Sequence, residues 1–270
     1  MAVSKAQVDR GERPSVICFG TGDGAPCEDR NHASFLYRLG RSTILVDCGE
    51  AVDRSYKASG LSFDTIDAIF LSHLHSDHVG GFFMFMQGMW LEGRRKPLKV
   101  YLPGKAIKPL REMLNTVFLF DEVLPFRLEL IALEEKKGIK VRDVRVTPFY
   151  TTHLERTRAQ FGKKYHADFS AYCFLIENRG VRIGHSADLG RPEDLEPLLA
   201  VRLDLLVCEL SHFTPNEIFS YLQEREIKQV AFVHIARAYR EQMVRLRQLA
   251  KRMLGGMDSL FPDDGDELRV

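Results

Sequence analysis

Apolar residues along the chain gather in short runs rich in β-branched and aromatic side chains and bounded by polar or glycine-containing stretches, a strand-dominated pattern. In the first half the predicted strands are 15–19 (SVICF), 34–39 (SFLYRL), 42–47 (STILVD), 68–72 (AIFLS), 98–102 (LKVYL), 127–133 (RLELIAL) and 139–149 (IKVRDVRVTPF). In the second half they are 170–176 (SAYCFLI), 181–184 (VRIG), 203–210 (LDLLVCEL) and 230–234 (VAFVH). Helical spacing predicts helices at 50–59, 82–92, 104–116, 192–200 behind Pro192, 215–226 behind Pro215, and 238–254. Many strands with helices between and after them imply an α/β fold of stacked sheets covered by helices. No repeat, low-complexity tract or linker divides the chain, so residues 1–270 read as one domain. A polar N-terminal segment, 1–14, precedes it, and a glycine-rich, acidic tail, 255–270, is expected to be partly ordered.

Charge adds little. Lys and Arg number 38 against 37 Asp and Glu, a net +1, so no global field points to nucleic acid or an anionic membrane. Two local basic stretches remain: Arg94, Arg95, Lys96, Lys99, Lys105, Lys108 and Arg111 within 94–111, and Arg237, Arg240, Arg245, Arg247, Lys251 and Arg252 within 237–252. They read as solvated charged faces, with a phosphate-gripping rim as the alternative. No run approaches the roughly 20 apolar residues of a membrane span, and the start lacks a signal-peptide core, so the chain reads as cytoplasmic. The run FFMFMQGMW at 82–90 reads as a packing helix, the alternative being an apolar substrate wall. Cys18, Cys27, Cys48, Cys173 and Cys208 are scattered and form no C-x-x-C pair, so they fit neither a disulfide framework nor a zinc knuckle.

The candidate chemistry is concentrated in SHLHSDH, 72–78. His73 and His75, two apart at the end of a strand-like run, leave the chain on the same side. Asp77 and His78 follow where the chain turns into a helix. Imidazole nitrogens and a carboxylate suit Zn²⁺ or a similar divalent ion. The spacing leaves two pairs, His73/His75 and Asp77/His78, each able to serve its own metal. Four ligands are too few for two ions, so others must come from elsewhere. His153, Asp188 and His234 each lie just past a predicted strand, where open sheets present ligands. His32 and His166 fall in polar loops and read as solvated. The stretch GTGDGA, 20–25, fits a dinucleotide fingerprint, but PCEDRNHA follows instead of a helix. Its glycines read as letting backbone pass close to the metal site.

The series His73, His75, Asp77, His78, then His153, Asp188 and His234, resembles the H-x-H-x-D-H signature and distant ligands of the metallo-β-lactamase fold superfamily. That resemblance implies an αββα sandwich, two mixed sheets flanked by helices, with a binuclear metal site at one edge. FGTGDGAP, LVDCGEA and FLSHLHSDHVGG are most similar to the ribonuclease Z-like and phosphodiesterase branch, as are Glu209 in CELSHFT and His212, 22 residues before His234. The likeness runs from about 17 to 240. Two features depart from it. No glycine- and proline-rich tRNA-gripping arm lies between about 120 and 205, and HIARAY stands where the branch has H-I-S-x-R-Y. Both put tRNA as substrate in question.

The resemblance implies one zinc on His73, His75 and His153, a second on Asp77, His78 and His234, and Asp188 bridging, with Mn²⁺ as the alternative ion. Asp47 is expected to orient the histidines without ligating. A water shared between the ions is the implied attacking group, since one protein-bound zinc already lowers its pKa to about 7. Asp77 is the expected proton acceptor. His212, held by Glu209, is the expected donor to the leaving oxygen; alternatively His212 only caps the helix near Pro215. The function implied is a zinc-dependent phosphodiesterase, endoribonuclease-like, acting on RNA (tRNA 3′ processing included) or another phosphate diester, as a homodimer. The alternatives are a lactone, thioester or sulfate-ester hydrolase on the same metal core, or a silent metal- or nucleic-acid-binding relative. The complete ligand set speaks against the silent relative, and an iron redox role would place glutamate where His75 stands.

Overall fold

The computed structural model describes residues 13–270; residues 1–12, most of the polar segment 1–14, lie outside the described residues. The first sheet contains β1 (Ser15–Gly20), β2 (Ser34–Leu39), β3 (Ser42–Val46), β4 (Ala68–Phe70), β5 (Leu98–Leu102) and β6 (Leu128–Ala132). The second contains β7 (Ile139–Val141), β8 (Val144–Thr151), β9 (Ala171–Asn178), β10 (Val181–His185), β11 (Leu203–Leu210), β12 (Ile227–Ile235) and β13 (Asp258–Leu260). A last strand, β14 (Glu267–Arg269), returns to the first sheet and pairs antiparallel with β1. Both sheets are mixed. The hairpin-linked strands β1 to β3 and β7 to β10 run antiparallel, whereas β3 to β6 and β10 to β13 run parallel.

Alternation along each strand sorts side chains into layers. Phe35, Tyr37, Ile44 and Val46 face Phe174, Val207 and Ala231 between the sheets. Leu36 and Leu45 point the other way, onto Phe82, Phe85, Met86 and Met89 of the helix Phe82–Leu91, so FFMFMQGMW is a packing helix. Outside the second sheet, Ile218, Phe219 and Leu222 of the helix Pro215–Leu222 and Leu246 and Ala250 of Met243–Met253 close the opposite face. The layers are therefore helix, sheet, sheet, helix. This is the metallo-β-lactamase αββα sandwich.

Several predicted elements differ. The run 139–149 is two strands, because Arg142 takes a left-handed φ of 53° and Asp143 turns the chain, its carboxylate anchored by the Arg41 amide and the Ser42 hydroxyl. The helix at 238–254 is interrupted between Arg237–Arg240 and Met243–Met253, and 192–200 is a 3₁₀ turn, Pro192–Leu195, leading into Glu196–Leu199. A helix at Glu155–Phe161 was not predicted. Residues 255–270, read as a partly ordered tail, supply one strand to each sheet. Arg94 is no part of a solvated face: its side chain is buried and donates to the carbonyls of Phe63, Ile66, Lys96 and Pro97. Cys18, Cys48, Cys173 and Cys208 are buried thiols and Cys27 is partly exposed. Among the described residues no helix is long and apolar enough to cross a membrane.

Candidate metal centre

Ligand candidates from both sheets meet at one edge because parallel strands end there together. On the first sheet, Asp47 follows β3 and His73 follows β4. On the second, His153 follows β8, Asp188 follows β10, and Glu209 and His234 lie at the ends of β11 and β12. Three non-glycine residues at this edge hold left-handed φ angles: Asp47 at 60°, Ala187 at 44° and His234 at 49°. Such conformations cost of order 1–3 kcal/mol each and persist only where surroundings enforce them.

Two groups result. His73, His75, His153 and Asp188 have ligand atoms all within 4.8 Å of one another, and so do Asp77, His78, Asp188 and His234. Asp188 belongs to both and divides its oxygens between them. Its Oδ2 is 3.7 Å from His73 Nε2 and 3.5 Å from His153 Nε2, while Oδ1 is 3.2 Å from His78 Nε2 and 3.7 Å from His234 Nε2. Asp77 Oδ2 lies 3.2 Å from His234 Nε2 and 3.5 Å from His78 Nε2. All seven predicted ligand candidates are thus together. His166 is in neither group. Nor is His32, although its ring is not solvated as expected: both ring nitrogens are buried, and its backbone lies against Gly20 and Gly49.

Side chains behind the cluster fix its tautomers. Asp47, fully buried, accepts from the Ser72 amide (2.7 Å), the Ser72 hydroxyl (2.8 Å) and His78 Nδ1 (2.7 Å). With its hydroxyl proton given to Asp47, Ser72 accepts from His73 Nδ1 at 3.0 Å. His73 then turns an unprotonated Nε2 toward Asp188, and His78, bonded through Nδ1 to Asp47, points its Nε2 at the same carboxylate. Asp47 therefore orients ligands and is outside both groups. Ser72 went unnoticed in the sequence; its only signal was its place before His73.

The electrostatics follow the same division. Burial and the charge of His78 hold His73 well below the usual imidazole range, and burial lowers His153 to about 4, so both present lone pairs. Burial also opposes charge on His78, but Asp188 and Asp47 outweigh it and push that ring well above its ordinary value. Burial would raise Asp188, yet His234 and His78 hold it well below the carboxylate range. His212 is lowered by burial, but its hydrogen bond to Glu209 and that carboxylate's charge dominate and raise it to about 9.

Glu209 and His212 do pair. His212 Nδ1 is 2.8 Å from Glu209 Oε1, and its Nε2 reaches 3.9 Å from Asp188 Oδ2. The capping alternative fails, because the helix Pro215–Leu222 is capped by Thr214 and Glu217 in a reciprocal box. Buried Glu209 also accepts from the amides of Leu189 (2.9 Å), Ser211 (2.8 Å) and His212 (3.1 Å), binding the Asp188 turn to the His212 turn.

A divalent metal fits these residues. His73 Nε2, His78 Nε2 and Asp188 Oδ1 are buried without a hydrogen-bond partner, a costly arrangement unless a cation accepts their lone pairs. His75 Nδ1 and His153 Nε2 lie 3.1 Å apart, close enough to share one proton or one ion. The donor set of imidazole and carboxylate is that of a divalent metal site.

Fold and donor set together define a metal-dependent hydrolase of the metallo-β-lactamase superfamily, in its ribonuclease Z-like branch. A ribonuclease Z from Metallosphaera sedula is 28% identical over 294 residues, spanning 92% of this chain and 96% of its own. The metallo-β-lactamase fold protein YhfI from Bacillus subtilis superposes with a TM-score of 0.76 at 19% identity, over 96% of this chain and all (100%) of that one. Human tRNase Z, short form, does so with a TM-score of 0.69 at 18% identity, over 95% and 99%. More narrowly, residues 15–233 match the family model described as anti-Pycsar protein Apyc1, and the chain belongs to that family.

Proposed function

We propose that the protein is a zinc-dependent phosphodiesterase, with His73, His75 and His153 holding one ion, Asp77, His78 and His234 a second, and Asp188 shared. Zinc bound there would acidify water and draw charge from the phosphoryl oxygens, with Mn²⁺ as the alternative ion. The chain's own residues supply the proton transfers. The Asp77 carboxylate, held well below the usual range by the His234 hydrogen bond and the His78 and His234 charges despite its burial, accepts the nucleophile's proton. His212, kept cationic by Glu209, hands its Nε2 proton to the departing oxygen.

The observation that carries this reading is the Glu209–His212 pair, 2.8 Å apart with His212 aimed at Asp188. An alkoxide or ribose oxygen leaving phosphorus needs a proton, whereas a thiolate leaving a thioester does not. The ribonuclease Z relative supports a phosphodiester as substrate. Between His153 and β9 the chain builds only the helix Glu155–Phe161 and a loop, which favours a diester gripped at the metal centre over one held by a long tRNA-binding arm. A homodimer belongs to the same proposal. Met113, Val117 and Phe118, exposed at the end of the helix Ile107–Thr116, form an apolar patch of the kind that subunit contacts cover; sedimentation would read the assembly.

The test is hydrolysis of bis(p-nitrophenyl) phosphate by zinc-loaded protein beside a lactone and a thioester, with His75→Ala as control. Metal-dependent diester cleavage that disappears in the variant is expected. Lactone or thioester turnover without diester cleavage would overturn the substrate class and leave the fold untouched.

A further inference from the structure

The C-terminal segment is fastened to the loop that touches His234 and Asp77 at the metal centre. After β13 the chain passes beside the glycine-rich stretch 20–31, whose neck closes where the Gly22 amide donates to the Asn31 carbonyl at 2.9 Å. The Asp264 carboxylate grips both sides of that neck. Its Oδ1 accepts from the Thr21 amide and the Thr21 hydroxyl, each at 2.8 Å, and its Oδ2 from the Asn31 amide at 2.5 Å. Arg30 completes the clasp, donating to the Thr21 hydroxyl (2.7 Å), the Pro262 carbonyl (3.0 Å) and the Asp263 carboxylate.

From this neck, three contacts reach the Asp77/His78/His234 group. The His234 amide donates to the Thr21 carbonyl at 2.8 Å, at the residue whose left-handed φ of 49° needs an external constraint. Gly24 lies so close that a Cβ there would be 3.1 Å from Asp77 Oδ2. The Asp23 carboxylate accepts from the amide of Arg237, three residues past His234, at 3.2 Å. The other group is held differently, His73 through Ser72 and His75 against His153.

We infer that Asp264 is a positioning residue for the second metal position alone: through Thr21 and the 21–31 loop it holds His234 and Asp77 in ligating geometry. The inference rests on the two-metal reading above. Side chains that bond a ligand directly typically govern about 10–100-fold of metal affinity; Asp264 acts one step further out, through Thr21, so the low end of that range applies, and the control comes from the far end of the chain.

Stepwise zinc affinities of the full chain, measured by competition with a chromogenic chelator, test it. In Asp264→Ala one of the two equivalents should weaken about 10-fold and the other stay within about twofold. Asp264→Asn, which keeps an acceptor for Thr21 but sets an amide against the Asn31 N–H, should fall between. Glu267→Ala, which removes the carboxylate bonded to Ser15 on the same segment (2.6 Å), should leave both equivalents unchanged. Hydrogen exchange on metal-free protein provides a readout independent of loading: the amides of Thr21, Asn31 and His234 should lose protection in Asp264→Ala. Equal weakening of both equivalents, or none, or a Glu267→Ala variant that behaves like Asp264→Ala, overturns the inference. A wild type that binds one equivalent defeats the two-metal reading instead, and the His234 amide alone then decides whether Asp264 reaches that ligand.

Discussion

At the scale of single residues, His212 has the most testable behaviour. Its folded-state pKa is raised from the ordinary 6.5 to about 9, so the stabilisation from its pairing with Glu209 is complete below about 6.5 and is lost as pH rises through about 9. As a proton donor it should give the pH–rate profile a basic limb at or below about 9, since two nearby cations would pull the value down. Glu209→Gln removes the charge that sustains the shift, and its limb should move toward 6.5. His212→Ala should lose the limb and lose more rate on diesters with poor leaving groups than on p-nitrophenyl esters. Rates across a leaving-group series decide the point, because equal losses on all esters would make His212 structural. Asp47 offers a second case. Asp47→Asn keeps a side chain that tolerates the left-handed backbone at this position, but presents an amide where the His78 and Ser72 donors need an acceptor. A folded protein with zinc affinity reduced about 10–100-fold is expected, read by metal titration and circular dichroism.

Among the elements, the turns at the sheet edge impose the strictest limits. Gly49 in the Asp-Cys-Gly turn presses on the helix that carries Asp77: a Cβ there would lie 2.4 Å from the Asp77 carbonyl and 2.5 Å from the His32 carbonyl carbon. Gly81, after the same helix, would meet the Gly49 carbonyl at 2.2 Å. Both obstacles are backbone, so neither can swing aside. Gly49→Ala should cost about 1–3 kcal/mol in a denaturant melt and loosen metal binding with it. Such turns were partly legible in the sequence, because the residues that form them are adjacent in the chain. The same holds for the His73-to-His78 motif, whose spacing alone places donors on one side of a strand end. The hairpin at Arg142 was invisible for the opposite reason. Both its strands alternate with the same period, and the Asp143 anchors are Arg41 and Ser42, about 100 positions away. Arg94 reads as one of a basic run until the fold surrounds it with carbonyls. The Asp264 clasp could not be read either, since a carboxylate in an acidic tail gains its partners only when the chain ends meet.

For the whole molecule, the metal centre is a concentration of buried polar groups that the sandwich must tolerate. His73, His78, Asp188 and His234 are each at most 4% exposed, and three of them carry a ligand-facing atom with no hydrogen bond. Apolar layers hold these groups in place on both sides; hydrogen bonds such as His78 to Asp47 offset part of their desolvation, and a cation among them offsets the rest. Bound metal is then a stabilising ligand of the folded state, contributing RT ln(1 + [L]/Kd), about 4 kcal/mol at a thousandfold excess over Kd. For a chain of 270 residues, each kcal/mol moves Tm by roughly 2–4 °C. Removing metal with a chelator should therefore lower Tm by on the order of 10 °C, and added zinc should restore it. The response should also be directional in sequence. His75→Ala, at the first group, and His234→Ala, at the second, should each keep part of the zinc-induced shift, because each leaves one group intact. Asp188→Ala should abolish nearly all of it, because its two oxygens serve both. Differential scanning calorimetry of the three variants with and without zinc would show whether one carboxylate joins the sites: equal residual shifts in all three would mean that the two groups bind independently of Asp188.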